Sequence, residues 1–291
     1  MPERRRLKIN EPTSSFKLLN ALLMIVLLAV MAVPLWNILV VSFTSNLESF
    51  EVEFKLLPRE PSVSGYAMLL TSVQLWRPFL NNVFVTVFGT LFFVLINSLA
   101  GFVLMRPRFP GKGLLFLVFL LPMMIPGGAI IIPLYLTMRR LGLIDSLWSV
   151  TLAGVGSTFA IFLMRNYFTS IPRSLEESAH MDGASQFRIL GSIYLPLSTA
   201  GLATITLMEM VGKWNHFFSA VLYLHSAEKQ TLQRAIQGLI SPSESRLMTG
   251  EIISNNIRAA AIVVALIPML AIYPFIQRYF IKGIFLGAIK E

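Results

Sequence analysis

The stretch Ser170-Ile-Pro-Arg-Ser-Leu-Glu-Glu-Ser-Ala-His-Met-Asp-Gly-Ala-Ser-Gln-Phe-Arg-Ile-Leu-Gly-Ser-Ile-Tyr-Leu-Pro196 decides the reading of the chain, because it is polar and lies between two long apolar runs. Ser174, three residues ahead of Glu177, has the spacing of a capping box. Pro172 stands just upstream, and Glu176 and Glu177 lie at the positive end of the helix dipole, so a helix is expected to start near Leu175. Asp182-Gly183 then supplies a residue able to enter the left-handed conformation and stop it. Ser185 caps a second helix that runs to the breaker Pro196. The first helix has only about two turns, too few to stand alone in water, so a partner must pack on it. Small Ser178 and Ala179 sit where close approach is wanted. The plain alternative is an amphipathic hairpin lying on a membrane surface and touching nothing.

Around this stretch the chain of 291 residues is 55% hydrophobic and only 13% charged. That is the composition of an integral membrane protein. Apolar runs of about twenty residues or more suit crossing a bilayer, so one membrane unit is expected rather than two soluble domains. Cysteine is absent, and His180, His216 and His225 lack ligand spacing, so disulfides and metal binding are set aside. An all-α fold with six spans follows, at roughly 18–43, 83–105, 113–138, 147–164, 202–224 and 257–279. The polar loop 165–196 lies between the fourth and fifth. The run after the basic start Arg4, Arg5, Arg6, Lys8 is about twice a signal core in length and reads as a retained span. Segments 45–78 and 226–256 are expected as loops outside the membrane. Pro122, Pro126-Gly127-Gly128 and Pro133 break the third span, and such a break belongs inside protein or beside a watery cavity.

Six spans put both termini on one side. Fourteen Lys and Arg fall on that side with the polar loop, against eight on the other, which places the ends and the loop in the cytoplasm. The net charge of +9 is therefore read as a topology signal and not as a nucleic-acid footprint.

No phosphate-binding loop occurs: Gly154-Val-Gly-Ser-Thr158 lacks the lysine and falls within a span. Neither is there a nucleophile elbow or a carboxylate pair in a plausible cleft, so no catalytic residue is assigned and the chain is not expected to be an enzyme. Transport remains, driven by a separate ATPase or by an ion gradient through a secondary carrier. A scaffold role leaves the polar residues of the fifth span, Glu209, Lys213, Trp214, Asn215 and His216, unexplained. Glu209 and Lys213 lie one turn apart on one face. Either they pair and neutralise each other, or Glu209 orients the lysine toward a cavity where it attracts an acidic sugar.

Glu177-Ser178-Ala179, then Gly183, then Ile193, Leu195 and Pro196 resemble the EAA loop of ABC importer permeases, with Ser178 where that family usually has alanine. Arg106-Pro-Arg-Phe-Pro-Gly111, Met123-Met-Ile-Pro-Gly127, Met164-Arg-Asn-Tyr-Phe168, Trp214-Asn215 and the tail Lys282-Gly283-Ile-Phe-Leu-Gly287 are similar to carbohydrate-uptake permeases related to the smaller permease subunit of the maltose importer. Within that family the wording looks like the branch importing oligosaccharides of plant and algal polysaccharides. The resemblance implies a type I importer fold in the bacterial cytoplasmic membrane, surrounded by lipid. It also implies a second permease subunit, two ATPase subunits that bind the ATP and Mg, an external solute-binding protein, and an oligosaccharide cargo, acidic and alginate-like. No cofactor is implied for this chain itself. Glu177, Ser178, Ala179, Asp182, Gly183, Ile193, Leu195 and Pro196 take the coupling role, Lys282, Gly283 and Gly287 lie near the ATPase, and Glu209 to His216 line the solute path.

Overall fold

The computed structural model describes residues 14–51, 53–71, 73–106, 110–241 and 253–288, with side chains from 15 to 274 within those ranges. Among them the backbone is helical apart from its connections and one isolated bridge between Thr44 and Pro61. It divides into two units: residues up to Leu69 with Ile253–Val263, and Leu70–Ile252 with residues from Val264 onward.

In the first unit the uninterrupted apolar run becomes one helix, α1 (Ser14–Ser42), no part of whose apolar window is buried within this chain. The segment after it, expected as an open loop, is instead folded. Glu48 and Lys55 are buried as an ion pair at 3.3 Å, and Glu48 also accepts from the amides of Arg59 and Glu60. A second helix, α2 (Ser64–Thr71), follows. Buried Asn256 donates to the Thr44 carbonyl and to the Asn46 side chain, tying the start of the last helix to this segment.

The second unit is built on α3 (Trp76–Met105), which starts at Trp76 rather than Val83 because Pro78 falls in the first turn, where a missing N–H costs nothing. At 30 residues it is about 45 Å long, more than the hydrocarbon thickness of about 30 Å, so its ends stand clear of the lipid. As the prolines predict, the third span is broken: α4 (Lys112–Met124) and α5 (Gly127–Arg140) meet at 111°. The expected continuous fourth span is corrected to two short helices, α6 (Leu147–Leu152) and α7 (Thr158–Thr169). Gly154, at φ +72°, turns the chain between them. The freed backbone is met by side chains: Asn97 donates to the Val155 carbonyl and accepts from the Ser157 amide, and the Thr158 hydroxyl donates to the Phe119 carbonyl. This is how a span can stop midway without leaving polar groups to lipid.

The polar loop forms α8 (Arg173–Met181) and α9 (Gln186–Leu197), and α10 (Thr199–Trp214) continues from α9 at a bend of 85°. The predicted fifth span thus ends at Trp214, and α11 (Phe218–Tyr223) is separate. Segment 226–256, expected as a plain loop, carries the amphipathic α12 (Leu232–Ile240), while 242–252 lie outside the described residues. The last helix, α13, runs Asn255–Ala288. Among the described residues three helices are long and apolar enough to cross a membrane, or five when each bent pair counts as one crossing; α6 and α7 do not qualify.

Apolar burial gives little advantage between helices already in lipid, so close approach and hydrogen bonds must supply the cohesion, at about 0.6 to 2 kcal/mol per bond. Gly101 of α3 provides the approach, since a Cβ there would lie 3.0 Å from the Ile161 carbonyl and the Arg165 amide of α7. Phe93, Phe102, Met164, Phe168 and Ile205 fill the core that results, with Tyr194 of α9 packed against it.

Candidate functional site: the polar hairpin and the helix that follows it

The helix α8 begins two residues earlier than the capping box predicts. Its N-cap is Pro172, whose extended backbone (φ −59°, ψ 131°) leads directly into Arg173, and Ser174 makes no cap hydrogen bond. The stop is as expected: Gly183 takes φ +74°, its amide donates to the His180 carbonyl, and the Ala184 amide donates to that of Ala179, the paired bonds of a Schellman ending. Ser185 caps α9 by accepting from the Arg188 amide. Further along, Leu190–Tyr194 form a π-turn just before Pro196. A wider turn relieves the clash between the proline ring and the carbonyl four residues back, so α9 passes the proline and ends at Leu197, capped by Ser198.

The loop has two faces. Outward lie Glu177, Ser178, Asp182, Gly183 and Pro196, together with Met181 (89% exposed) and Phe187 (79% exposed). These are the two most exposed large apolar side chains of the hairpin. Between the helices is a crevice of about 200 Å³ bordered by Ala179, Ala184, Arg188 and Ile193. Ala179, Ile193 and Leu195 are half-buried, packed against the core cluster. Five of the eight residues grouped for coupling thus lie outward and three pack inward, and the inner contacts of the hairpin carry no signal in the spacing. Glu176, read there only as a dipole partner, accepts from the Arg106 guanidinium at Oε1 and from the Tyr194 hydroxyl at Oε2 (2.7 Å). Arg106 also donates to Gln186. Arg106 and Glu176 are 70 residues apart, a separation at which no motif spacing signals a contact.

Of the two alternatives for Glu209 and Lys213 on α10, the structure has the pair, at 3.7 Å, and does not turn the lysine toward a cavity. Lys213 is 5% exposed, and its ammonium donates to the carbonyls of Val150, Thr151 and Ala153 at 3.0, 3.0 and 2.6 Å. These are the orphan carbonyls ending α6, where a cation also complements the helix dipole. Gly89 of α3 makes the room: a Cβ there would stand 3.0 Å from the lysine Cε. Trp214 is buried as well, its indole donating to the Ala265 carbonyl while its own carbonyl accepts from Asn82. Of the five residues grouped on this helix, Glu209 is half-buried and only Asn215 and His216 are exposed. Lys282, Gly283 and Gly287 fall on α13 beyond the described side chains. No cluster of metal-ligating residues occurs among the described residues.

Known proteins give this geometry a setting. The family of binding-protein-dependent transport system inner membrane components matches residues 94–286. The polygalacturonan/rhamnogalacturonan transport system permease protein YtcP of Bacillus subtilis is 34% identical over 92% of this chain and 95% of its own length. The arabinooligosaccharides transport system permease protein AraQ of Halalkalibacterium halodurans is 27% identical over 88% and 90%. Among solved structures, a chain of a bacterial ABC transporter involved in the import of the acidic polysaccharide alginate superposes with a TM-score of 0.83 at 31% identity, over 93% of this chain and 99% of that one. A chain of the bacterial alginate ABC transporter in complex with an alginate pentasaccharide-bound periplasmic protein, at TM-score 0.62 and 15% identity, shares the fold, covering 90% and 93%. With its all-helical build, its broken spans and the polar hairpin between α7 and α10, the chain belongs to the family of binding-protein-dependent transport system inner membrane components, the multi-pass permeases of type I ABC importers.

Proposed function

We propose that this chain is one of two permease subunits of an ATP-driven importer that carries an acidic, alginate-like oligosaccharide across the cytoplasmic membrane. Two separate ATPase subunits supply the energy and an external binding protein delivers the cargo. The observation that carries the reading is the hairpin itself: Glu177, Met181 and Phe187 face outward while the helices beneath them are bonded to the spans. An ATPase that contacts this face differently in its two nucleotide states shifts the permease between two openings, and differential contact is all the coupling requires. Similarity to a permease for polygalacturonan and to one for alginate, both acidic polysaccharides, supports the charge of the cargo. In this reading Asn215 and His216, exposed just beyond the end of α10, meet the cargo, while Lys213 serves the protein interior.

The test is reconstitution with the sister permease, the ATPases and a loaded binding protein in proteoliposomes, comparing uptake of a labelled uronate oligomer with a neutral oligomer of equal length. Uptake of the uronate oligomer alone is expected; equal uptake of both removes the acidic assignment. Glu177→Lys is expected to insert normally and to weaken ATPase docking by about 2 to 5 kcal/mol, roughly thirty-fold or more. Normal stimulation of hydrolysis in that variant would refute the docking role.

A further inference from the structure

Arg106 is the residue at which α3 ends. Its guanidinium lies 4.5 Å from the centroid of the Phe102 ring, one turn earlier on the same helix. From there it reaches both helices of the hairpin at once, donating from Nη1 to Glu176 of α8 and from Nη2 to Gln186 of α9. The second carboxylate oxygen of Glu176 accepts from Tyr194, whose ring packs edge-on against Phe102 at 5.2 Å. One planar cation therefore joins three elements, and a ring of contacts closes from α3 through α8 and α9 back to α3. Arginine suits this position: its rigid fork offers parallel donors to two acceptors, whereas a lysine ammonium is a single point of attachment. The outward face, with exposed Glu177, Met181 and Phe187, takes no part in these bonds.

We propose that Arg106 is a positioning residue for energy coupling, locking α8 and α9 into one body and fastening that body to α3. The motion of the hairpin then passes directly into the long second span, in addition to α7 and α10, to which the chain already joins it. Without the guanidinium the hairpin still docks, but it swivels on its two chain connections and part of each stroke is lost. The inference rests on the reading of the hairpin as the ATPase-docking element.

The test uses the full complex in proteoliposomes with a loaded binding protein, measuring cargo moved per ATP hydrolysed. Arg106→Met is expected to assemble and to keep its basal hydrolysis, while cargo per ATP falls tenfold or more. Arg106→Lys recovers only a small part, because it keeps the charge but not the fork. Glu176→Gln, whose amide oxygen still accepts from Arg106 while its NH2 donates to the Tyr194 hydroxyl, loses no more than about threefold. An unchanged ratio in Arg106→Met overturns the proposal, and should that variant fail to assemble, an unchanged ratio in Arg106→Lys overturns it equally. Glu177→Lys in the same preparation separates the two layers: if it leaves stimulated hydrolysis intact, the docking reading itself fails, whereas silent Arg106 variants beside a disabled Glu177→Lys remove the positioning role alone.

Discussion

Lys213 and Arg106 are both cations drawn into the protein, yet they hold different things. Lys213 spends its three donors on backbone carbonyls at the end of one short helix, groups that are fixed once that helix forms. Arg106 spends its fork on two side chains from two helices, groups that rotate and can be exchanged. The first arrangement repairs a break within a span; the second joins bodies that must travel together. A lysine suits the first because its flexible stem can thread past Gly89, and an arginine suits the second because a plane is needed.

Removing Lys213 breaks this contrast most severely. Lys213→Met leaves three carbonyls and the Glu209 carboxylate without their cation, and is expected to cost about 3 to 5 kcal/mol, since an uncompensated buried charge remains. Thermal unfolding of the purified protein in detergent measures it, and a loss under 1 kcal/mol would mean that water replaces the ammonium. A finer comparison sets neighbours against each other. Glu176→Ala is expected to cost about 1 to 3 kcal/mol by stranding Arg106 and Tyr194, whereas Glu177→Ala, on the exposed face, stays within about 0.5 kcal/mol in the same assay. Equal losses would erase the distinction between the inner and outer faces of the hairpin.

The smallest effect concerns Asp145, which combines both kinds of partner. It accepts from the Ser226 hydroxyl and from the amides of Ser226 and His225, and its carboxylate pairs with Lys229 at 3.1 Å. The Ser226 hydroxyl and then these amides hold its carboxyl well below the usual carboxylate range. A depressed folded value means that the stabilisation is complete above the unfolded pKa of about 3.9 and is lost as pH falls toward the folded value. The thermal midpoint of the wild type is therefore expected to drop below about pH 4 more steeply than that of Asp145→Asn, which does not titrate. Parallel pH profiles would assign the drop to other carboxylates.

What could be read from the sequence divides along the same line. Gly183 and Ser185 act within a turn of themselves, and the break at Pro126 follows from a missing N–H, so each could be located from neighbouring residues alone. Ser174 shows the limit even there, since the helix starts at Arg173 and the cap it predicts is unused. In the sequence Gly154 reads only as part of a failed phosphate loop, whereas its φ of +72° turns the chain between α6 and α7. The partners of Arg106 and of Lys213 lie 60 to 80 positions away, and that pairing is decided by packing of whole helices. Burial of Lys213 in particular depends on a glycine in a different span, which no spacing rule connects to it.

The lysine that closes α6 also sets an order of events during synthesis. The carbonyls of Val150, Thr151 and Ala153 leave the ribosome 60 to 63 residues before their partner. At about 5 to 20 residues per second they wait roughly 3 to 13 s. Lipid offers them nothing in that interval. The short helix α6 is therefore expected to stay in the wet channel of the insertion machinery until α10 arrives, and the two to enter the bilayer together.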